Sequence, residues 1–137
     1  MGRIVDSTEL IEIERLVTDI SEADALFDRF GPDCHVAAIQ VMELAIGVYF
    51  ADTPTRASHR NALLDVVLRL WPLIPFAEVE ARETARLLVL TRRAGAPVGE
   101  RDLQIAATAL VHGHEVVTRN VKDFAKVPGL VVIDANG

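Results

Sequence analysis

The sequence predicts an α/β protein, with three layers (α/β/α) around a central, mainly parallel sheet of four or five strands. One observation predicts it, and a second points to a site within it. Short apolar runs alternate along the chain with longer segments of helical periodicity, the pattern of parallel strands covered by helices on both faces. Acidic residues recur where one kind of run turns into the other, at Asp6, Glu43, Asp102 and the Asn120/Asp123 pair. Right-handed crossovers place all strand C-terminal ends along one edge of such a sheet, and sites form at that edge.

In chain order, Arg3 to Asp6 reads as a short strand. Ser7 to Val17 carries Leu10, Ile11, Ile13, Leu16 and Val17 at helical spacing, with acids on the opposite face. Ser21-Glu22-Ala23-Asp24 has a capping-box pattern and predicts a second helix running to about Phe30, where Gly31-Pro32-Asp33 breaks it. His35 to Ile39 is short and apolar, as a buried strand is, and Gln40 to Phe50 returns to helix. After the break at Asp52-Thr53-Pro54, a helix over Thr55 to Leu70 presents Leu63, Leu64, Val66, Val67 and Leu70 on one side. Trp71 to Phe76 is extended, because its two prolines disfavour helix at themselves and at the residues before them. Ala77 to Arg93 is helical, Gly95 to Gly99 is a loop, and Asp102 opens a helix that reaches His112. Glu115 to Thr118 and Leu130 to Asp134 are the last strands. No repeat or linker interrupts the chain, so residues 1–137 are expected to form a single domain.

Half the residues are hydrophobic and a quarter are charged, enough apolar material for a core and too much for disorder. The single cysteine, Cys34, excludes an internal disulfide and suits a reducing compartment. No uncharged apolar run reaches the ~18–20 residues of a membrane span, and no basic-apolar signal opens the chain. Met1-Gly2 does not begin a myristoylation motif, since Asp6 occupies the required Ser/Thr position. The expected location is the cytoplasm, with no membrane association. The net charge of −6 argues against a general nucleic-acid coat. Residues 1–70 carry 6 basic and 12 acidic side chains and residues 71–137 carry 8 of each, which leaves room for a local basic rim beside an acidic site.

Crowded carboxylates repel one another unless protons or cations compensate. Oxygen ligands without cysteine suit Mg²⁺ or Mn²⁺, and Mg²⁺ keeps several waters while taking one or two carboxylates directly. Such a site matches phosphodiester hydrolysis. Taken singly, each acid has a plainer reading. Asp6, with Glu9 three residues on, and Asp102 both read as helix N-caps, and Glu43 reads as a solvent-facing residue of an apolar helix.

Four segments resemble those of PIN-domain ribonucleases, and within them the VapC-type toxins of bacterial toxin–antitoxin pairs. Ile4-Val5-Asp6-Ser7-Thr8-Glu9-Leu10-Ile11 is similar to the family's opening strand and first acidic ligand, and Met42-Glu43-Leu44-Ala45-Ile46-Gly47 to its glutamate-bearing helix. Asp102-Leu103-Gln104-Ile105-Ala106-Ala107-Thr108-Ala109 is similar to its third acidic segment. Thr118-Arg119-Asn120-Val121-Lys122-Asp123-Phe124, followed by Pro128-Gly129-Leu130, resembles its C-terminal signature. The resemblance spans the chain and implies a PIN-like fold and Mg²⁺- or Mn²⁺-dependent endoribonuclease activity. It also implies dimerisation and neutralisation by a small antitoxin. Three departures stand out: Ala37 and Gln40 replace the hydroxyl residues that often precede the glutamate, Ser7-Thr8 replaces threonine-serine or threonine-asparagine, and Asn120 stands where other branches place aspartate.

On this reading Asp6, Glu43, Asp102 and Asp123 are the catalytic residues. Asp6, Glu43 and Asp102 hold the metal, with Asn120 or Asp123 completing the site. Thr8, Arg119 and Lys122 are the expected substrate-binding groups. The competing reading is a catalytically silent PIN-like domain that binds protein or RNA, favoured by Asn120 and the negative net charge. A third reading, a receiver domain phosphorylated on aspartate, is disfavoured because the chain lacks an evident paired acidic cluster after the first strand and a central-strand acceptor aspartate. His112-Gly113-His114 reads as a helix end and Trp71 as a core or interface residue. Tyr49 and Phe50 read as a dimer or antitoxin contact.

Overall fold

The computed structural model describes residues 1–137. Five parallel strands form its centre: β1 (Arg3–Val5), β2 (Cys34–Ala37), β3 (Leu73–Ile74), β4 (Glu115–Thr118) and β5 (Val132–Asp134), in the spatial order β3-β2-β1-β4-β5. The chain steps outward from β1 to β3, then returns across the sheet to β4. That reversal opens a crevice between the C-terminal ends of β1 and β4, where ligands bind in open parallel sheets. Ile4 lies opposite Val116 and Val5 opposite Val117, so the next residues, Asp6 and Thr118, emerge side by side.

Seven helices cover the sheet: α1 (Ser7–Leu16), α2 (Ala23–Phe27), α3 (Ala38–Tyr49), α4 (Pro54–Leu70), α5 (Glu78–Arg93), α6 (Glu100–His112) and α7 (Val121–Phe124). Alternation along each strand divides the core into two layers. Val5, Val36 and Val117 pack with Leu10, Ile13, Leu44, Leu63 and Val67 of α1, α3 and α4. Ile4, Ala37 and Val116 pack on the other face with Leu87, Leu103, Ile105 and Ala106 of α5 and α6. The expected α/β/α layering is present, and the sheet is parallel throughout. Trp71 is a core residue, edge-on to Phe27 and Phe30 with centroids 5.1 and 6.0 Å away.

Four local expectations need correction. Ser21 caps nothing: Asp19 takes the cap position and its carboxylate accepts the Ser21 N–H at 3.0 Å, so the segment breaks into two 3₁₀ turns flanking the five-residue α2. The extended Trp71–Phe76 segment contributes only the two residues of β3, since Pro72 and Pro75 bring no N–H to a ladder. The strand expected over His35 to Ile39 ends at Ala37, and α3 begins at Ala38. α6 starts at Glu100, so Asp102 lies inside its first turn and Gly99 holds the cap position.

Gly113 ends α6 in the left-handed conformation (φ 68°), as the His112-Gly113-His114 reading anticipates. His112 Nε2 sits 3.1 Å from Glu80 Oε2, and the His114 ring stacks on His35 at 4.4 Å. These groups lie at the N-terminal ends of the strands, away from the acids. Cys34 is buried, and burial pushes its thiol up to about 11, which makes it inert. No helix is long and apolar enough to cross a membrane.

Candidate active site

Asp6 follows β1 directly and is almost fully buried. It occupies the N-cap position of α1, yet its side chain caps no amide. Its Oδ2 instead accepts two hydroxyl hydrogen bonds, from Thr8 Oγ1 at 3.0 Å and Thr118 Oγ1 at 2.8 Å. Both donors converge on one oxygen, leaving Oδ1 without a protein partner. The capping reading of Asp6 and Glu9 therefore fails for both residues. Glu9, 1% exposed, turns across to Arg119 Nε at 2.8 Å.

Glu43 lies in the second turn of α3 and is half-buried. Ser7 Oγ donates to its Oε1 at 3.0 Å, tying it to the first turn of α1. Burial, reinforced by the negative charge of Asp6, raises its pKa above the ordinary glutamate value, while the Ser7 bond and Arg101 act in the other direction. Glu43 and Asp102 line one open cleft between α3 and the start of α6, together with Met42, Arg101 and Gln104.

Asp102 is the most perturbed acid of the set. Burial, then repulsion from Asp6, Glu43 and Asp123, pushes it up to about 6, and no hydrogen bond offsets these effects. Four expected carboxylates from four different segments thus share one electrostatic centre. Asp123, at its margin, has a lowered pKa because Asn120 Nδ2 donates to its Oδ2 at 3.0 Å and Lys126 Nζ to its Oδ1 at 3.2 Å. Asn120 also donates its backbone N–H to Thr118 Oγ1 at 2.9 Å. Lys122 is exposed on α7 and adds positive charge near Asp123.

No group of three or more His, Cys, Asp or Glu side chains is drawn together tightly enough to grip a metal ion directly. Mutual repulsion keeps uncompensated carboxylates apart, and Mg²⁺ needs only one or two of them while reaching the rest through its waters. The donors present fit such an ion. They are all hard oxygens, one of them is raised to about 6 by burial and then by its acidic neighbours, and Asp6 Oδ1 and the Asp102 carboxylate take no hydrogen bond from the protein.

Gln40 supplies a support that sequence reasoning noted only as a departure. Fully buried, it donates from Nε2 to the Val5 carbonyl and accepts the Ala37 N–H on Oε1 at 2.9 Å. It does the work of half a capping box where Ala37 has no hydroxyl, and it binds α3 to the end of β1. Thr118 and Ser7 also orient site carboxylates and stood outside the expected set. Their signal was their adjacency to the motif acids.

Comparison with known proteins agrees with this geometry. The PIN domain family model matches residues 4–130. The chain is 30% identical to Ribonuclease VapC1 of Rickettsia felis, covering 97% of this chain and 96% of that one. It superimposes on VapBC of Salmonella typhimurium, crystallised bound to DNA, with a TM-score of 0.80 and 24% identity over 98% of each chain, a likeness of fold. A member of the VapBC family of toxin-antitoxin systems, VapBC-5 of Mycobacterium tuberculosis, matches at 0.71 and 26% identity over 96% of this chain and 97% of that one. The chain belongs to the PIN-domain family, among the relatives of the VapC ribonucleases.

Proposed function

We propose that this protein is a divalent-metal-dependent endoribonuclease that hydrolyses phosphodiester bonds in RNA and serves as the toxin of a VapBC-type module. It works as one domain in the cytoplasm, as a homodimer, and is neutralised by a small antitoxin. One observation carries the chemistry: burial, with Asp6, Glu43 and Asp123 close by at one sheet edge, raises Asp102 to about 6, and no protein hydrogen bond reaches its carboxylate. The names of the relatives, ribonucleases and toxin–antitoxin complexes, support the substrate class and the partner. The exposed Tyr49 and Phe50 at the end of α3 are offered as a contact for the second copy or the antitoxin.

Asp6, Glu43 and Asp102 hold Mg²⁺ or Mn²⁺, directly or through water, with Asn120 or Asp123 completing the set. When bound, the ion supplies a water of lowered pKa and positive charge for the phosphate. The residues do the positioning. Thr8 and Thr118 hold Asp6 by Oδ2 and leave Oδ1 without a protein partner, and Ser7 ties Glu43 to the first turn of α1. Asp102, raised by burial and its acidic neighbours when no ion is present, gives up its proton to bind the ion and then orients the attacking water. Arg119 and Lys122 hold the RNA backbone.

The test is a Mg²⁺ and Mn²⁺ titration followed by incubation with total RNA, for the wild type and for Asp6→Asn and Asp102→Asn. Cation-dependent fragmentation that both variants lose supports the assignment, and full activity in both sinks it. Asn120 at the fourth acidic position favours one other reading, a silent binding domain. A folded wild type that cleaves nothing at any cation concentration selects that reading.

A further inference from the structure

Glu9 has no place in the chemistry above, yet it is the most deeply buried carboxylate of the molecule, 1% exposed. Burying a carboxylate is costly unless a cation meets it. That cation is Arg119, whose Nε lies 2.8 Å from Glu9 Oε1. Glu9 Oε2 has one further neighbour, the Thr8 hydroxyl at 3.4 Å, which lies closer to Asp6 at 3.0 Å. A hydroxyl has one proton to give, so Thr8 serves Asp6 and Glu9 belongs to Arg119.

Arg119 stands between two anchored neighbours. Thr118 before it is bonded to Asp6, and Asn120 after it is bonded to Asp123. Its base is therefore fixed within one residue of the acidic centre. Its side chain is 44% exposed, its terminal guanidinium nitrogens make no hydrogen bond to the protein, and it lines an open cleft with Thr8, Glu9, Glu12, Arg15 and Asn120. A guanidinium carries five N–H donors, and Glu9 engages only the Nε. The two terminal nitrogens remain free, in the fork geometry that matches a phosphate.

We propose that Glu9 is a positioning residue: it pins Arg119 by Nε so that the terminal nitrogens grip a phosphate of the RNA strand beside the cleaved bond. The role deepens the nuclease reading and rests on it. Glu9 cancels one charge in a chain already at −6, so the pair adds no general attraction for RNA. What it supplies is preorganisation. A long side chain that would otherwise sample many rotamers is held in one before substrate arrives. Because the grip is made equally with bound substrate and at the transition state, its loss appears in KM while kcat holds.

The experiment is steady-state, Mn²⁺-dependent cleavage of a fluorogenic pool of random-sequence single-stranded RNA oligonucleotides. Glu9→Leu removes the anchor and leaves an apolar side chain of similar size in a buried position. It raises KM about 10-fold with kcat within about twofold of wild type. Glu9→Gln, which keeps an acceptor for Arg119 Nε, recovers most of that loss. Arg119→Lys retains the charge without the fork and matches Glu9→Leu, and the double variant is no worse than Arg119→Lys alone. Should Glu9→Leu fail to fold, Glu9→Met takes its place in the same comparison with Glu9→Gln, and a wild-type KM in it overturns the proposal. Unchanged KM in the variants, a fall in kcat at constant KM, or additive losses in the double variant overturn the proposal. A wild type that cleaves no RNA overturns the nuclease reading and this proposal together; cleavage with Glu9→Leu at wild-type KM overturns this proposal alone.

Discussion

Thr118 Oγ1 donates to Asp6 Oδ2 at 2.8 Å while it accepts the Asn120 N–H at 2.9 Å, at the C-terminal ends of β1 and β4. A single hydroxyl thereby joins the first acid of the site to the turn that carries Arg119, Asn120 and Asp123. Thr118→Val keeps the shape and deletes both bonds, leaving a nearly buried carboxylate with one donor fewer and an amide without its acceptor. A stability loss of about 2 kcal/mol is expected in urea denaturation, with cleavage reduced at least about 10-fold in initial rate at saturating Mn²⁺. A variant as stable and active as wild type would show that Thr8 alone holds Asp6.

Metal-free protein has a pH dependence whose sign follows from Asp102. Its pKa in the folded state, about 6, lies above the ordinary aspartate value of 3.8. The folded state thus favours the protonated form, and the stabilisation is full below the unfolded pKa and lost as pH rises through about 6. In EDTA, wild type loses Tm relative to Asp102→Asn between about pH 4 and about pH 7. Saturating Mg²⁺ reverses that difference, because the ion favours the ionised carboxylate. Parallel Tm curves for the two proteins in EDTA would remove the electrostatic centre from the argument.

Proton competition at the same residue sets the lower limit for metal binding. Apparent Mn²⁺ affinity, measured by calorimetry in the wild type, is expected to fall tenfold for each pH unit below about 6, since one carboxylate must deprotonate. Asp102→Asn, already weakened, loses this dependence. A pH-independent affinity between about pH 5 and about pH 7 would place the ion elsewhere.

Gln40→Ala should destabilise the protein by about 2 kcal/mol, because the Val5 carbonyl and the Ala37 amide lose their buried partner together. Cleavage falls as well, since the same side chain sets α3, and with it Glu43, against the end of β1. Serine at this position is too short to span both groups and does not restore stability. Chemical denaturation with parallel rate measurements decides the point: loss of activity without loss of stability contradicts a supporting role.

Much of the architecture was legible in local pattern. Alternating apolar runs and helical periodicity located every strand within one or two residues, and the motif acids proved to share one edge. The misreadings were of partners. Ser21 looked like a cap until Asp19 supplied one two residues earlier. Asp6 and Glu9 have the spacing of a capping pair, yet each side chain turns to a residue more than a hundred positions away. Sequence spacing records which groups are able to meet along a helix, and it holds nothing about competitors brought in by a neighbouring strand.

By itself the sequence determined the parallel α/β class, the family, and the four segments whose acids gather at the strand ends, because periodicity and motif order are local properties. Only the tertiary structure decided which oxygen each hydroxyl serves, that Glu9 belongs to Arg119, and that Gln40 ties α3 to β1. Those choices rest on burial. A polar group removed from water takes the partner that packing places within about 3 Å, and that distance is set by the register of β1 beside β4.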